Sequence, residues 1–210
     1  MKKRRKKSQF IVFEGIDGAG KTTQGSLLFN YFQREQKKSH FDYSGVHLTQ
    51  EPTTSLIGGL IRSQLTHDWK SSPECLQLLF AADRMYHLKK EILPSLQQGM
   101  IVIGDRYLHS SIAYGTADGC EEQWLFQINK NILQPDIIFL LDVSPRVCIQ
   151  RILAERYGIA LFEKEKVLKR VRANYLMLAS KDPNFHIING DQAKEKVQRD
   201  IQKILSSHIS

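Results

Sequence analysis

Eight residues near the start of the chain have the types and spacing to grip phosphate. Gly15-Ile16-Asp17-Gly18-Ala19-Gly20-Lys21-Thr22 keeps the order G-x-x-x-x-G-K-S/T, directly after an apolar run and at the start of a stretch of helical period. Three glycines let the backbone curl so that consecutive N–H groups face inward, and the helix N-terminus adds its partial positive charge to the same spot. Lys21 would reach the terminal phosphates of a nucleotide as a point charge. The Thr22 hydroxyl would coordinate the Mg²⁺ that accompanies ATP.

A second group, Asp105-Arg106-Tyr107, follows the run Ile101 to Gly104. If that run is a strand of a parallel sheet, these side chains lie at its carboxyl edge, where ligands of open α/β sheets bind. Asp105 can hold Mg²⁺ or its waters, and the rigid fork of Arg106 matches a second phosphate. The two could also simply pair with each other at a strand end.

Elements that must position these groups are legible in the periodicity. Strand-length apolar runs at Phe10 to Glu14, Val46 to Gln50, Ile101 to Asp105, Ile137 to Asp142 and His186 to Asn189 alternate with stretches of helical period. The expected helices are Lys21 to Gln36, Ser55 to Thr66, Pro73 to Gln98, Ser110 to Gly115, Gln123 to Ile132, Pro145 to Glu155, Lys164 to Ser180 and Gln192 to Ser206. This pattern predicts an α/β fold: one five-stranded parallel sheet with helices on both faces. Pro94 should kink or end the long third helix, and Ser110 and Ser111 could cap the helix they begin. No Pro/Gly/Ser linker divides the chain, so residues 9 to 210 read as one domain behind a basic arm at residues 1 to 8.

With 41% apolar and 25% charged residues in 210, composition excludes collagen-like, disulfide-rich and mostly disordered classes. Cys75, Cys120 and Cys148 are widely spaced and support neither a disulfide framework nor a zinc site, so a reducing cytoplasm fits best. No apolar stretch approaches the roughly 20 residues that span a bilayer. The formal charge of +8 suggests a polyanionic partner, but six of the 30 basic residues form the arm Lys2 to Lys7. Removing them leaves 24 cations against 22 anions. Nucleic-acid binding is therefore not expected beyond weak contact of the arm.

Four blocks in register resemble the thymidylate kinase family: Phe13 to Gln24, Glu51-Pro52-Thr53-Thr54, Leu79-Phe80-Ala81-Ala82-Asp83-Arg84, and Asp105-Arg106-Tyr107 with Ser110-Ser111 and Ala113-Tyr114. The resemblance implies the P-loop NTPase fold with a helical lid near residues 151 to 165, a homodimer, and transfer of the γ-phosphoryl of ATP to dTMP with Mg²⁺. The ATP-binding set it implies is Gly15, Ile16, Asp17, Gly18, Ala19, Gly20, Lys21, Thr22 and Thr23, with Thr22 and Asp105 at the metal. For dTMP it implies Phe80 stacked on the base, Arg84 at the base edge, and Arg62 and Arg106 on the phosphate. Asp17 would accept from the 3′-hydroxyl, Tyr114 would crowd the 2′ position, and Glu51, Ser110 and Ser111 would line the same site. Taken without the family, an aromatic such as Phe80 in an apolar helical stretch is more often core than platform, and Tyr114 would pass for a half-buried tyrosine.

The chain departs from the family in two places. The cradle holds no arginine, which shifts the catalytic burden to the lid, where Arg151 and Arg156 join Lys21, Asp105 and Arg106 as catalytic candidates. The glutamine that commonly follows the Ala-Tyr pair is Gly115, which reopens how thymine is told from uracil. The other readings are a kinase of another pyrimidine acceptor, such as dUMP or a deoxynucleoside, and a nucleic-acid-dependent ATPase, for which the arm is the only support. Asn129-Lys130-Asn131-Ile132 lacks the Asp of a guanine-reading motif.

Overall fold

Apolar runs of five or six residues, rich in β-branched side chains, form the strands β1 (Gln9–Glu14), β2 (Val46–Gln50), β3 (Ile101–Asp105), β4 (Ile137–Asp142) and β5 (Phe185–Asn189). The computed structural model describes residues 8–37, 43–155 and 161–208. All four pairings are parallel, in the order β2-β3-β1-β4-β5. β2, β3 and β4 have the expected ends, and β1 and β5 each begin one residue earlier. Phe10 to Phe13, Ile101 to Ile103 and Ile137 to Leu141 are at most 2% exposed. Such burial contributes about 1.5–3 kcal/mol for each large side chain, so the central strands anchor the molecule.

Helices cover both faces: α1 (Lys21–Lys37), α2 (Leu56–Leu65), α3 (Pro73–His87), α4 (Leu93–Gln97), α5 (Leu108–Ala117), α6 (Glu122–Ile128), α7 (Pro145–Glu155), α8 (Leu161–Lys181) and α9 (Lys194–His208). Among the described residues no helix is long and apolar enough to cross a membrane. Of the expected lid, residues 151–155 belong to α7 and 161–165 to α8. Residues 156–160, including Arg156, lie outside the described residues, as do residues 1–7 of the basic arm.

Three departures from the expected helices have local causes. The stretch Pro73 to Gln98 is not ended by Pro94. It passes through a π turn at Leu88–Ile92, where the Leu93 N–H bonds the Leu88 carbonyl five residues back. The wider turn accommodates a proline that has no N–H of its own and would crowd the preceding turn. Helix α6 stops at Ile128 because the Asn129 side-chain amide donates to the Leu125 carbonyl at 2.8 Å, taking the place of a backbone donor.

Helix α5 starts at Leu108, so Ser110 and Ser111 are inside it and cap nothing. Its cap comes from the end of β1: the Glu14 carboxylate accepts from the N–H groups of Tyr107 at 3.0 Å and Ser110 at 3.2 Å. A buried carboxylate here satisfies two of the orphan donors and complements the helix dipole.

His109, 4% exposed on α5, stands edge-on to Phe185 with ring centroids 4.7 Å apart. Its Nδ1 has no hydrogen-bond partner. Burial lowers its pKa, the charge of Arg84 adds to this, and Glu14 and Asp182 oppose it. A lowered folded-state pKa means the unfolded chain binds the proton more readily, so stability falls as pH drops below the unfolded value of about 6.5. The thermal midpoint should therefore decline between pH 7 and pH 5.5, and His109→Phe should flatten that slope; equal slopes for the two proteins would remove His109 as the cause.

Candidate active site

At the end of β1 the chain turns sharply into α1. Gly15 (φ +144) and Gly18 (φ +80) have backbone conformations that side chains rarely adopt. A Cβ on Gly18 would also stand 2.6 Å from the Cys148 carbonyl of α7. Lys21, the first residue of α1, is 6% exposed, and its Nζ donates to the carbonyls of Gly15 at 3.0 Å and Ile16 at 2.9 Å. Burial, and then the charge of Arg106, lower its pKa to about 8, against the pull of Asp17, Asp105 and Glu14. The first turn of α1 contains no acidic side chain, so its positive end is uncompensated from within.

Beside the loop, the Thr22 hydroxyl donates to Asp105 Oδ2 at 2.5 Å. Hydroxyl and carboxylate oxygens at the mouth of a phosphate cradle are the hard donors that Mg²⁺ takes, with phosphate oxygens and water completing its shell, so these residues fit that ion. The cradle opens into a cavity of about 710 Å³, whose far wall includes Arg151, Gly190, Gln192 and Lys194. Arg151 donates to the Gly190 carbonyl at 2.9 Å and lies 3.4 Å from the Gly18 carbonyl.

Arg106 follows β3 in the left-handed region at φ +69, a conformation worth about 1–2 kcal/mol of strain in a residue with a Cβ. Its N–H is tied to the Phe13 carbonyl at 3.0 Å, which holds the turn against β1. That turn aims the guanidinium across the sheet edge, where it donates to Gly15 O at 3.2 Å, Ser110 Oγ at 2.9 Å and Asp17 Oδ1 at 2.5 Å. Tyr114 lies under it at 5.3 Å, and the Tyr114 hydroxyl accepts from the Asp17 N–H at 3.0 Å. Burial alone would weaken the hold of Arg106 on its proton. Tyr114, Asp17, Tyr175 and Asp105 reverse that and raise its pKa, so it remains a cation.

A second cavity, of about 140 Å³, adjoins the first. Phe80, Arg84, Ser110, Ser111 and Tyr114 are among the residues that line it, and Asp17, Glu51 and Arg106 line both cavities. Arg84 is 1% exposed. Its guanidinium donates to Glu51 Oε2 at 2.9 Å, Asn129 Oδ1 at 2.6 Å, Ser111 Oγ at 2.9 Å and the Tyr107 carbonyl at 3.1 Å. The other oxygen of Glu51 lies 3.1 Å from Nδ1 of the buried His87. One carboxylate thus braces an arginine and a histidine from α3 against the end of β2.

Arg62 lies elsewhere: it is exposed on α2, donates to the carbonyls of Pro52 and Thr53, and is not among the residues lining either cavity. Three supporting groups were not anticipated from the sequence. Glu14, 0% exposed, accepts from Ser110 Oγ at 2.7 Å and Tyr175 Oη at 3.0 Å besides capping α5. Its signal was a charged residue ending an otherwise apolar strand. His87 and Asn129 gave no local signal, because each acts through a partner more than 30 residues away.

Removing the Glu51 carboxylate would leave the Arg84 guanidinium buried beside His87 with no counter-charge. Such losses cost about 3–5 kcal/mol. Glu51→Ala should therefore lower the free energy of unfolding by that amount in a denaturant titration; a loss below about 1 kcal/mol would mean the pair contributes no more than a surface ion pair.

A family model described as thymidylate kinase matches residues 13–201. Curated proteins named "Probable thymidylate kinase" are similar over nearly the full length. The one from Pyrococcus abyssi is 42% identical over 206 residues, covering 95% of this chain and 97% of its own. That from Thermococcus gammatolerans is 38% identical over 208 residues, with the same coverage. A crystal structure of thymidylate kinase from Ehrlichia chaffeensis superimposes with a TM-score of 0.76 at 31% identity, covering 95% of this chain and 99% of that one. With the phosphate cradle, its Thr–Asp oxygen pair and an arginine walling two adjoining cavities, these matches make the chain an ATP-dependent nucleoside monophosphate kinase of the P-loop fold, a member of the thymidylate kinase family.

Proposed function

We propose that ATP occupies the larger cavity and dTMP the smaller one, with the transferred γ-phosphoryl meeting the acceptor phosphate beside Arg106. The observation that carries this reading is the wall the two cavities share, Asp17, Glu51 and Arg106. Phosphoryl transfer needs two polyanions brought end to end, and a fixed cation at the junction lowers the cost of that approach.

In this reading the residues from Gly15 to Thr23 cradle the donor phosphates. Lys21 and Arg106 spread the charge that develops in transfer, and Phe80 supplies the face for the base. Arg84 and Ser111 form the wall at the base edge. Asp17 takes the sugar 3′-hydroxyl and Tyr114 bars a 2′-hydroxyl. Mg²⁺ held by Thr22 and Asp105 would supply further neutralisation of phosphate oxygens. Arg62 joins the acceptor phosphate on leaving the loop carbonyls. Arg151, already in the donor cavity, or Arg156 supplies the lid cation, and closure there excludes competing water.

The protein so read is a cytoplasmic homodimer. The support for pairing is the apolar stripe on the outer face of α3, where Leu78 is 51% and Met85 44% exposed. Sedimentation velocity should report a dimer that Leu78→Asp converts to monomer. The arm Lys2 to Lys7 takes no part in catalysis.

Arg106→Ala should reduce dTMP phosphorylation by about 10³-fold or more while changing the affinity for ATP much less. An unchanged turnover would refute the role given to Arg106.

A further inference from the structure

The smaller cavity has a feature that none of the expected contacts explains. Gln77 on α3 lines it, is 3% exposed, and its Oε1 is fully buried with no hydrogen-bond partner. Burying an amide oxygen unpaired costs about 1–3 kcal/mol, which a protein tolerates where a ligand completes the bond. Gln77 also stands on the face of α3 that carries the cavity's other walls, three residues before Phe80 and seven before Arg84.

The neighbouring helix makes room for it. A Cβ on Gly115 of α5 would lie 3.1 Å from Gln77 Cδ and 2.9 Å from Leu125 Cδ1. The glycine that removes a polar side chain from α5 is therefore what admits a polar side chain from α3. Of the other buried polar side chains in this wall, Arg84 and Ser111 bond each other and Glu51 is held by Arg84 and His87, while the Tyr107 hydroxyl, likewise unpartnered, is a donor as well as an acceptor. An acceptor left over beside the Phe80 ring calls for a donor from the ligand. On the edge of thymine or uracil that donor is the N3–H.

We propose that Gln77 is a base-reading residue of the acceptor cavity, its side-chain carbonyl accepting the N3–H of the pyrimidine. The inference rests on the placement of dTMP given above. Because N3–H is common to thymine and uracil, Gln77 selects the type of base edge and does not sense the 5-methyl group. Discrimination between dTMP and dUMP then falls to apolar contacts elsewhere in the cavity.

Steady-state kinetics of Gln77→Leu, which keeps the volume and removes the acceptor, tests this directly. Expected is a KM for dTMP raised roughly tenfold, an equal loss for dUMP, and unchanged kcat and KM for ATP. The preference of the wild-type enzyme for dTMP over N3-methyl-dTMP should shrink in the variant by the same factor. The thermal midpoint should stay level or rise, since an unpaired buried oxygen is gone. A merely structural Gln77 would instead lower the midpoint and leave the N3-methyl preference intact, overturning the proposal, as would an unchanged KM for dTMP. Gly115→Ala, which crowds Gln77 from the opposite helix, provides a second route and should raise the KM for dTMP without touching that for ATP. Failure of the wild-type enzyme to phosphorylate dTMP at all would overturn the placement of dTMP itself, a result distinct from any change at Gln77.

Discussion

The carbonyl of Gly15 accepts from two cations at once, Lys21 Nζ at 3.0 Å and Arg106 Nη1 at 3.2 Å. Holding two positive charges against one oxygen is the constraint to which the rest of the site answers. Like charges in a poorly hydrated setting repel strongly, and the repulsion is visible in Lys21, whose pKa falls to about 8 through burial and the charge of Arg106. Three carboxylates, Glu14, Asp17 and Asp105, stand close enough to offset it without forming a closed pair with Lys21. Lys21 Nζ is thus bonded to the carbonyls of Gly15 and Ile16, a cation that phosphate oxygens can take up on entry.

The sheet makes this juxtaposition possible. Phe13 on β1 is in register with Asp105 on β3, so Arg106 leaves β3 level with Glu14, the last residue of β1, one residue before Gly15. A shift of one residue would move each of Phe10 to Phe13 to the opposite face of the sheet, against the other layer of helices, so their packing on both faces fixes the register and, through it, the distance between Lys21 and Arg106. Glu14 then ties strand to helix by capping α5, which carries Ser110, Ser111 and Tyr114 into the wall of the smaller cavity. The strained backbone of Arg106 belongs to the same device. In the left-handed region its side chain crosses from β3 to the carbonyl of Gly15 while its N–H holds Phe13.

How much of this was legible in the chain depends on how local each interaction is. The cradle could be read outright because all its parts lie within eight residues and the motif encodes a backbone path. Strands were legible from buried runs, and their carboxyl edge from the fold rule, which placed Asp105 and Arg106 correctly at that edge. Interactions that cross the sheet left little trace: no local pattern says that Glu14 caps α5 or that Glu51 braces both Arg84 and His87. Serine at the start of a helical run also allows a cap, but here a carboxylate 96 residues away performs that task and Ser110 lines the smaller cavity. Gly115 looked like the loss of a contact, and only the packing of α3 against α5 connects it with Gln77.

The central claim is that one cation-lined junction receives the facing phosphates of two nucleotides. Its most direct test is the affinity for a ligand that fills both cavities together, adenosine and thymidine joined 5′ to 5′ through five phosphates. The account predicts one molecule per chain, bound roughly 100-fold more tightly than ATP or dTMP alone and displacing both, because the second nucleotide binds at high effective concentration once the first is seated. Affinity no greater than that for ATP, with dTMP still able to bind beside the linked ligand, would contradict it.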